Sequence, residues 1–402
     1  MKSIPLYIHI PFCFSKCSYC DFFSVAFGQK KIPDSYLTAI INEAKFFAKK
    51  YKIAFWKTIY VGGGTPSLLS AFQIDFLFSE IKKIACIEKN AEFTFEANPC
   101  DISHELLVAL GNAGVNRISV GLQSLNEKTL EAVSRRSNVS DIENAFSILH
   151  SWKKNISFDV IAGLPYETIE SFSRGLKKIL SQKVNHISLY SLSLEKNTPL
   201  WKSIAEKKIH YDEELANDLW MRGREKLLAS GFEQYEISNF AKCGFESKHN
   251  LCYWNLESYL GLGAGAVSSF YSESENVRKT NINDVTMYSN VWNEIRKTDF
   301  ENENACENFL RNEKIAKTFS LEKLDKKTLA FEFFMMGLRK KEGVCMSVYN
   351  ERFGKIEKRM NEIFLRWVKA ERAMFYKKNN LEFFTLTEKA RMFLNSFLKE
   401  LL

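Results

Sequence analysis

The chain has 402 residues, more than the usual ~100–200 of a single domain, so more than one folding unit is expected. Its 46% hydrophobic and 26% charged residues exclude a disordered, collagen-like or disulfide-stapled chain. The net charge of +8 is small for this length, which argues against a dedicated nucleic-acid binder but is compatible with small anionic ligands.

Targeting signals and cysteine usage predict the compartment. A proline, a histidine and a cysteine interrupt the first thirteen residues before any apolar run reaches signal-peptide length, and no later run reaches about 18 apolar residues. These features predict a cytoplasmic protein without a transmembrane segment. Of nine cysteines, three lie close together near the start. In a reducing compartment such a cluster indicates metal ligation, whereas scattered cysteines are small buried hydrophobes.

In the first half, short runs rich in β-branched and aromatic residues alternate with amphipathic segments of helical length. This alternation predicts an α/β fold with a parallel sheet and right-handed crossovers. Six units are too few for a closed eight-stranded barrel, so we expect an open, partial barrel, although periodicity alone does not separate it from a flat doubly wound sheet. The predicted strands are Leu6–Ile10, Thr58–Val61, Glu92–Glu96, Arg117–Val120, Ser157–Ile161 and His186–Leu192. The predicted helices between them are Pro33–Tyr51, Ala71–Ile84, Ser103–Ala113, Ser140–Lys153 and Thr168–Gln182.

The second half changes character after a predicted helix at Asp212–Ser230. An aromatic, glycine-rich loop and the Asn-rich stretch Ser272–Asn308 follow, and we predict domains at 1–235, 236–320 (a linking segment) and 321–402. In the last of these, helices and a hairpin turning at Lys378–Asn380 resemble a winged-helix module. Its basic residues are interleaved with glutamates, which predicts a solvated face and no nucleic-acid partner. The predicted C-terminal helices are Leu321–Lys340, Ser347–Phe353, Ile356–Lys369 and one from Thr387.

The cysteine cluster has the spacing C-x3-C-x2-C at Cys13, Cys17 and Cys20, directly after the first predicted strand. A structural zinc site would need a fourth Cys or His close by, and none has the expected spacing. An iron–sulfur cluster held by three cysteines instead leaves one iron free for a non-protein ligand. We therefore predict an iron–sulfur site at the carboxyl end of this strand, where parallel folds place their chemistry. Packed cysteines, or a zinc site with a distant fourth ligand, are the alternatives.

These motifs point to a family. The segment IPFC…KCSYCDF resembles the radical S-adenosylmethionine (SAM) superfamily. The segments YVGGGTPSLL, NRISVGLQSL, FDVIAGLP, HISLYSL and GFEQYEISNFAK resemble the oxygen-independent coproporphyrinogen III oxidase family over nearly the whole chain. The resemblance implies a partial (β/α)6 barrel, a 4Fe-4S cluster on the three cysteines, and SAM bound to its fourth iron. It also implies one-electron cleavage of SAM to a 5′-deoxyadenosyl radical, with an electron donor such as a flavodoxin-type protein.

The positions that the resemblance assigns to SAM fall at the ends of successive predicted strands, as one cofactor across a barrel mouth requires. Glycines 62 to 64 would let the backbone approach the methionyl amino group. Carboxylates and amides suit ribose hydroxyls, and a guanidinium suits the SAM carboxylate, although Arg136 beside Arg135 leaves that assignment open by one residue. The predicted cofactor-binding residues are Tyr7, Tyr19, Gly63, Gly64, Thr65, Glu96, Gln123, Arg135 and Asp159.

Two departures from the oxidase pattern favour the family's heme-chaperone (HemW-type) branch. Phe22 stands where oxidases have a further cysteine, and only twelve residues precede Cys13. The segment HNLCYW matches an H-N-x-x-Y-W motif associated with heme, so His249 is a predicted heme ligand. Ala264 and Val267 stand where the family usually has proline and histidine. If the missing histidine helps to hold heme in the family, this chain would bind heme more weakly. We expect a protein that binds heme and passes it to an unknown apoprotein. The alternative is oxidation of coproporphyrinogen III to protoporphyrinogen IX, so whether the chain is an enzyme stays open.

Overall fold

A nine-stranded sheet lies at the centre of the computed structural model, which describes residues 2–272 and 276–402. The strands are β1 (Lys2–Ile10), β2 (Phe12–Cys13), β3 (Val25–Ala26), β4 (Ile53–Gly63), β5 (Cys86–Ala97), β6 (Arg117–Gln123), β7 (Asn155–Ala162), β8 (His186–Ser191), β9 (Glu233–Gln234), β10 (Asn239–Ala241), β11 (Leu260–Leu262), β12 (Val267–Tyr271), β13 (Asn276–Asn281), β14 (Phe319–Lys323), β15 (Val344–Cys345), β16 (Ala373–Lys378) and β17 (Leu381–Leu386).

Helices cover the sheet and build the C-terminal part. They are α1 (Asp34–Lys50), α2 (Ala71–Ile84), α3 (His104–Ala113), α4 (Glu127–Ala132), α5 (Val139–Leu149), α6 (Ile169–Leu180), α7 (Pro199–Ala205), α8 (Glu213–Ala229), α9 (Lys248–Trp254), α10 (Val285–Glu294), α11 (Glu303–Arg311), α12 (Glu313–Ala316), α13 (Lys326–Gly337), α14 (Met346–Phe353), α15 (Lys358–Lys369), α16 (Glu388–Arg391) and α17 (Leu394–Leu401). Short 3-10 helices lie at Pro66–Leu68, Pro99–Asp101 and Lys297–Phe300.

The strand order of the central sheet is β11-β1-β4-β5-β6-β7-β8-β10-β9. The six strands from β1 to β8 in this order are parallel to their neighbours, and β10 is antiparallel to β8. All six predicted strands and the helices between them are present. Since parallel neighbours end at the same edge, the loops after β1, β4, β5, β6 and β7 meet at one end of the sheet, as in other parallel α/β folds.

Local side-chain signals set several helix ends. Ser70 and Gln73 form a reciprocal capping box that starts α2, and Asn138 and Asp141 do the same for α5. Gly114, with φ +93°, adopts the left-handed conformation that ends α3. These short-range devices explain why helix bounds in this half of the chain follow the sequence pattern closely.

The single helix predicted from Thr387 is two short helices, α16 and α17. Two other predicted elements also differ from the structure. The helix predicted from Leu321 begins only at Lys326, because residues 319–323 pair with β13 as strand β14. The segment HNLCYW, predicted as a loop, forms helix α9, and Ser247 caps it by accepting a hydrogen bond from the Asn250 amide. Both differences come from partners far away in sequence, which local patterns do not reveal.

The predicted linking segment 236–320 contributes to the central sheet and its core. Strands β10 and β11 lie in that sheet, and Trp292 of α10 is fully buried in the main apolar cluster. Residues 273–275 of the segment lie outside the described residues. From Leu324 onward, most buried apolar side chains belong to a second cluster, around the sheet β15-β17-β16. The domain limits themselves stay a prediction.

Candidate cofactor site

The cysteine loop and the carboxyl ends of the parallel strands enclose one cavity of about 520 Å³. This volume is within the ~300–1,000 Å³ range of small-molecule sites. Tyr7 and His249 are the only predicted site residues outside its lining. The predicted residues that the structure brings together there are Cys13, Cys17, Cys20, Tyr19, Gly63, Gly64, Thr65, Glu96, Gln123, Arg135 and Asp159.

The three cysteines are free thiols on a loop anchored by backbone hydrogen bonds. Cys13 is buried at the end of β2, and Cys17 and Cys20 are partly buried. The Phe27 amide donates to the Cys13 carbonyl at 2.7 Å, which closes the loop. In the described part of the chain, no three His, Cys, Asp or Glu side chains are grouped as ligands of one metal ion. A 4Fe-4S cluster does not require three ligands around one metal ion, because each cysteine binds a different iron atom.

The glycines after β4 hold this loop against the sheet. The Gly64 amide donates to the Ile10 carbonyl at 2.9 Å, and the Thr65 amide donates to the Phe12 carbonyl at 2.8 Å. A Cβ atom on Gly64 would lie 2.7 Å from the Phe12 carbonyl oxygen. A side chain there would therefore displace the backbone beside Cys13. Substituting Gly64 would disturb the cysteine loop as well as any cofactor contact, so other residues make cleaner probes of SAM binding.

Two partly buried carboxyl groups, Glu96 and Asp159, line the cavity. The Tyr60 hydroxyl donates to Glu96 Oε1 at 2.6 Å and the Gly63 amide to Oε2 at 3.2 Å. Burial, with a smaller contribution from the nearby Asp159 charge, raises the pKa of Glu96 to about 7. Burial also raises the pKa of Asp159, although the Ser119 hydroxyl donates to its carboxylate at 3.1 Å. A cationic ligand would stabilise the ionised form of both groups.

Arg135 has an unused hydrogen-bond donor in the cavity wall. Its Nη2 donates to the Gly121 carbonyl at 2.6 Å and its Nη1 to Cys17 Sγ at 3.5 Å, while Nε is buried without a partner among the described residues. Arg136 instead pairs with Asp101 at 2.8 Å and lies over the Phe14 ring. Of the two neighbours, Arg136 is paired with a carboxylate, whereas Arg135 has no carboxylate partner within the described residues, which favours Arg135 as the partner of a ligand carboxylate.

Tyr7 lies inside the barrel beneath the cysteine loop. Its hydroxyl is 2.8 Å from His9 Nδ1, and His9 Nε2 is 3.0 Å from the Phe23 carbonyl oxygen. His9 is thus a buried, hydrogen-bonded residue of the barrel interior. In this arrangement Tyr7 supports the loop through His9 rather than lining the cavity.

His249 lies inside the barrel with both ring nitrogens occupied. Nδ1 is 2.8 Å from the Thr58 hydroxyl and Nε2 is 2.7 Å from the Tyr253 hydroxyl. Burial lowers the pKa of His249 to about 3, so the imidazole is neutral at physiological pH. In this conformation neither nitrogen is available to iron, and ligation by His249 would require the loss of one of these hydrogen bonds. Its role as a heme ligand stays a prediction.

Sequence reasoning missed several polar residues of the cavity wall. Ser119, Tyr190, Ser191 and Asn98 also line it. The pairing of neighbouring strands could have revealed some of them. Gly121 on β6 pairs with Asp159 on β7, and Asp159 pairs with Ser188 on β8. Alternate positions on these three neighbouring strands therefore face the same interior.

The fold and this cavity define a radical SAM protein. The model of the radical SAM superfamily matches residues 7–179, and the model of the HemN C-terminal domain matches residues 324–375. The solved coproporphyrinogen III oxidase (HemN) from Escherichia coli, described as a radical SAM enzyme, superposes with a TM-score of 0.77. The match covers 99% of this chain and 90% of the HemN chain. Because the sequences are only 19% identical, the match shows the shared fold alone. These matches confirm the predicted fold class.

Several curated relatives carry the name heme chaperone HemW. The protein from Lactococcus lactis is 35% identical and covers 86% of this chain and 84% of the relative. Those from Buchnera aphidicola of Schizaphis graminum and from Haemophilus influenzae are 32% and 31% identical and cover 99% of this chain and 98% of each relative. The chain belongs to the HemW family of heme chaperones, which confirms the predicted branch. Within the described residues, no helix is long and apolar enough to span a membrane.

Proposed function

We propose that this protein binds heme and passes it to an acceptor apoprotein, and that it holds a 4Fe-4S cluster and SAM in the cavity at the strand ends. The observation that supports this most is similarity over nearly the full length to proteins named heme chaperone HemW. A phenylalanine at position 22, exposed at the cavity where the oxidase pattern has cysteine, supports the chaperone rather than the oxidase. We place this function in the cytoplasm.

The residues of the cavity fit both cofactors chemically. The thiolates of Cys13, Cys17 and Cys20 would hold the cluster, which when bound supplies the electron that cleaves SAM. Arg135, which lines the cavity without a carboxylate partner among the described residues, would pair with the SAM carboxylate. Glu96 and Asp159 offer acceptors to hydroxyls and negative charge to the sulfonium. The predicted electron donor, a flavodoxin-type protein, would act before any cleavage.

Binding of SAM is expected to strengthen as the pH rises through about 7, where Glu96 ionises. A cation and donating hydroxyls favour the ionised carboxylate, so SAM binding should release a proton from Glu96. The affinity gain ends once the free protein is already ionised. Isothermal titration with SAM on anaerobically reconstituted protein, between about pH 6 and 8, measures this slope.

The matched variant is Glu96→Gln, which keeps the size of the side chain but cannot ionise. It should bind SAM with a flatter pH profile. An equally steep profile in Glu96→Gln would assign the proton to another group, such as Asp159.

The proposed function predicts heme binding without porphyrin oxidation. Reconstituted protein with cluster, SAM and a reductant should bind heme, transfer it to an apoprotein, and leave coproporphyrinogen III unconverted. Absorption titration with hemin and product analysis by chromatography, run side by side, measure both activities. Efficient formation of protoporphyrinogen IX would favour the oxidase alternative, with which the chain shares its fold.

A further inference from the structure

We infer that heme binds in a second cavity, at the opposite end of the central sheet from the cysteines, between the sheet and the C-terminal helices. This inference rests on the proposed function and names the site at which it occurs. The cavity has a volume of about 1140 Å³, above the ~300–1,000 Å³ of most small-molecule sites, so it suits a ligand as large as a tetrapyrrole. The amino-terminal ends of β1 and β4 form its floor, and α13 and α14 face them.

The walls are rich in aromatic rings, which a planar macrocycle can contact over its faces. Tyr51 and Phe270 stack with ring centroids 3.7 Å apart on the sheet side. Tyr271 and Trp254 add to this side, and Phe333 contributes a ring from α13. Trp254 is the last residue of the HNLCYW segment, so the helix that holds His249 inside the barrel also contributes to this cavity.

Arg352 supplies a positive charge to the cavity wall. Its guanidinium lies 5.2–6.0 Å from the ring centroids of Tyr271, Phe333 and Phe353, and Nη1 donates to the Leu256 carbonyl at 3.3 Å. Within residues 2–272 and 276–402, no carboxylate is among the groups that act on its charge. Burial lowers the pKa of Arg352, so the charged form is held at a cost that an anionic ligand would reduce.

The other polar groups of the cavity fit the same ligand. Lys340 is bonded to the neutral Asn255 amide oxygen. The Trp254 Nε1–H is buried without a partner among the described residues. Three acidic side chains line the wall: Glu257 pairs with Lys57 and Glu342 with Lys378, each at 2.6 Å, and Glu351 is exposed to solvent at the rim. Away from the exposed Glu351, the described residues thus leave the Arg352 cation without a carboxylate acting on its charge and the Trp254 donor without a hydrogen-bond partner, and both match the propionates of heme.

Side chains that can bind iron are also present. Cys345, at the start of α14, and Tyr271 both line the cavity. Thiolate and phenolate side chains are known axial ligands of heme iron. Ligation at this site would leave the internal hydrogen bonds of His249 intact.

The test is hemin titration of full-length, anaerobically purified protein, followed by absorbance. Arg352→Gln should weaken binding about tenfold, the size of one lost charge-assisted hydrogen bond, and Arg352→Lys should weaken it less. Val348→Trp, at a partly exposed position in the wall, should fill space and weaken binding at least as much. Arg359→Gln, exposed on α15, is the matched control and should bind like the wild type.

The outcomes separate this inference from the proposed function. If the wild type binds heme and both Arg352→Gln and Val348→Trp bind it with the same affinity, the cavity is not the heme site. The proposed chaperone function would be unaffected by that result. Absence of heme binding by the wild type would overturn both. Circular dichroism and retained SAM binding at the opposite end of the sheet show that each variant is folded. If Val348→Trp does not fold, the contrast between Arg352→Gln and Arg352→Lys decides alone.

Discussion

Replacement of Cys17 by serine is expected to abolish assembly of the iron–sulfur cluster. Among the described residues, the three loop thiols are the only cysteines that line the cofactor cavity, so no other thiolate there can substitute for a lost ligand. Serine is nearly isosteric but its hydroxyl stays protonated and binds iron weakly. Arg135 Nη1 donates a hydrogen bond to Cys17 Sγ at 3.5 Å, so the side chain at this position is also held by the cavity wall. We expect the same loss for Cys13→Ser and Cys20→Ser.

Iron and sulfide content and visible absorbance after anaerobic reconstitution measure the cluster. The controls are Cys86→Ala, at an exposed position where β5 begins, and Cys306→Ala, buried in α11. Both should retain the wild-type cluster content. A comparable loss from either control would contradict the assignment of the three loop cysteines.

The parallel part of the fold could be predicted from sequence because its signals are local. Buried strands such as β1 read as apolar runs, and capping residues such as Ser70 mark where the helices begin. The pattern also predicted that the strand ends meet at one edge of the sheet, while the resemblance to the radical SAM family supplied which residues there would contact SAM. Glu96, Gln123 and Asp159, chosen through that resemblance, lie on three different strands and line one cavity.

What could not be predicted depends on contacts between distant segments. Helix α9 enters the barrel because the amides of Lys248 and His249 donate to the buried Glu92 carboxylate at 3.1 and 3.0 Å. Nothing in the segment HNLCYW indicates that the imidazole would be enclosed by Thr58 and Tyr253. The large second cavity is likewise formed by elements from both ends of the chain, so no single sequence motif predicts it.

The departure at Ala264 has a structural explanation of this long-range kind. Its backbone amide donates to the Tyr36 hydroxyl at 3.0 Å, and Tyr36 in turn donates to the His9 carbonyl at 3.0 Å. Proline, the residue usual in the family, has no amide hydrogen and could not make the first bond. In this chain the turn at 263–265 is therefore tied to α1 and β1 by a contact that needs a residue other than proline.

Beside this turn, a buried ion pair and its hydrogen bonds join four elements of the chain: α1, the turn itself, β13 and α10. Glu43 of α1 pairs with Lys279 of β13, and both side chains are almost completely buried. The Glu43 carboxylate also accepts hydrogen bonds from the Asn281 amide at 2.9 Å, the Gly263 amide at 3.0 Å and the Tyr288 hydroxyl at 2.5 Å. Burial lowers the pKa of Lys279, opposed by the Glu43 charge, so the ammonium depends on its partner.

Glu43→Ala is therefore expected to lower the free energy of unfolding by about 3–5 kcal/mol, because it leaves the Lys279 charge and several donors buried without an acceptor. Urea denaturation followed by circular dichroism measures the loss. Replacing both partners, as Glu43→Leu with Lys279→Met, removes the unpaired charge and should recover part of the stability. The control is Glu307→Ala in α11, which breaks a surface ion pair with Lys50 of α1, the helix that also carries Glu43. It should lower the free energy of unfolding by no more than about 1 kcal/mol. If Glu43→Ala lowers the free energy of unfolding as little as Glu307→Ala does, water or local rearrangement replaces the hydrogen bonds of Glu43. The turn at 263–265 would then not depend on them.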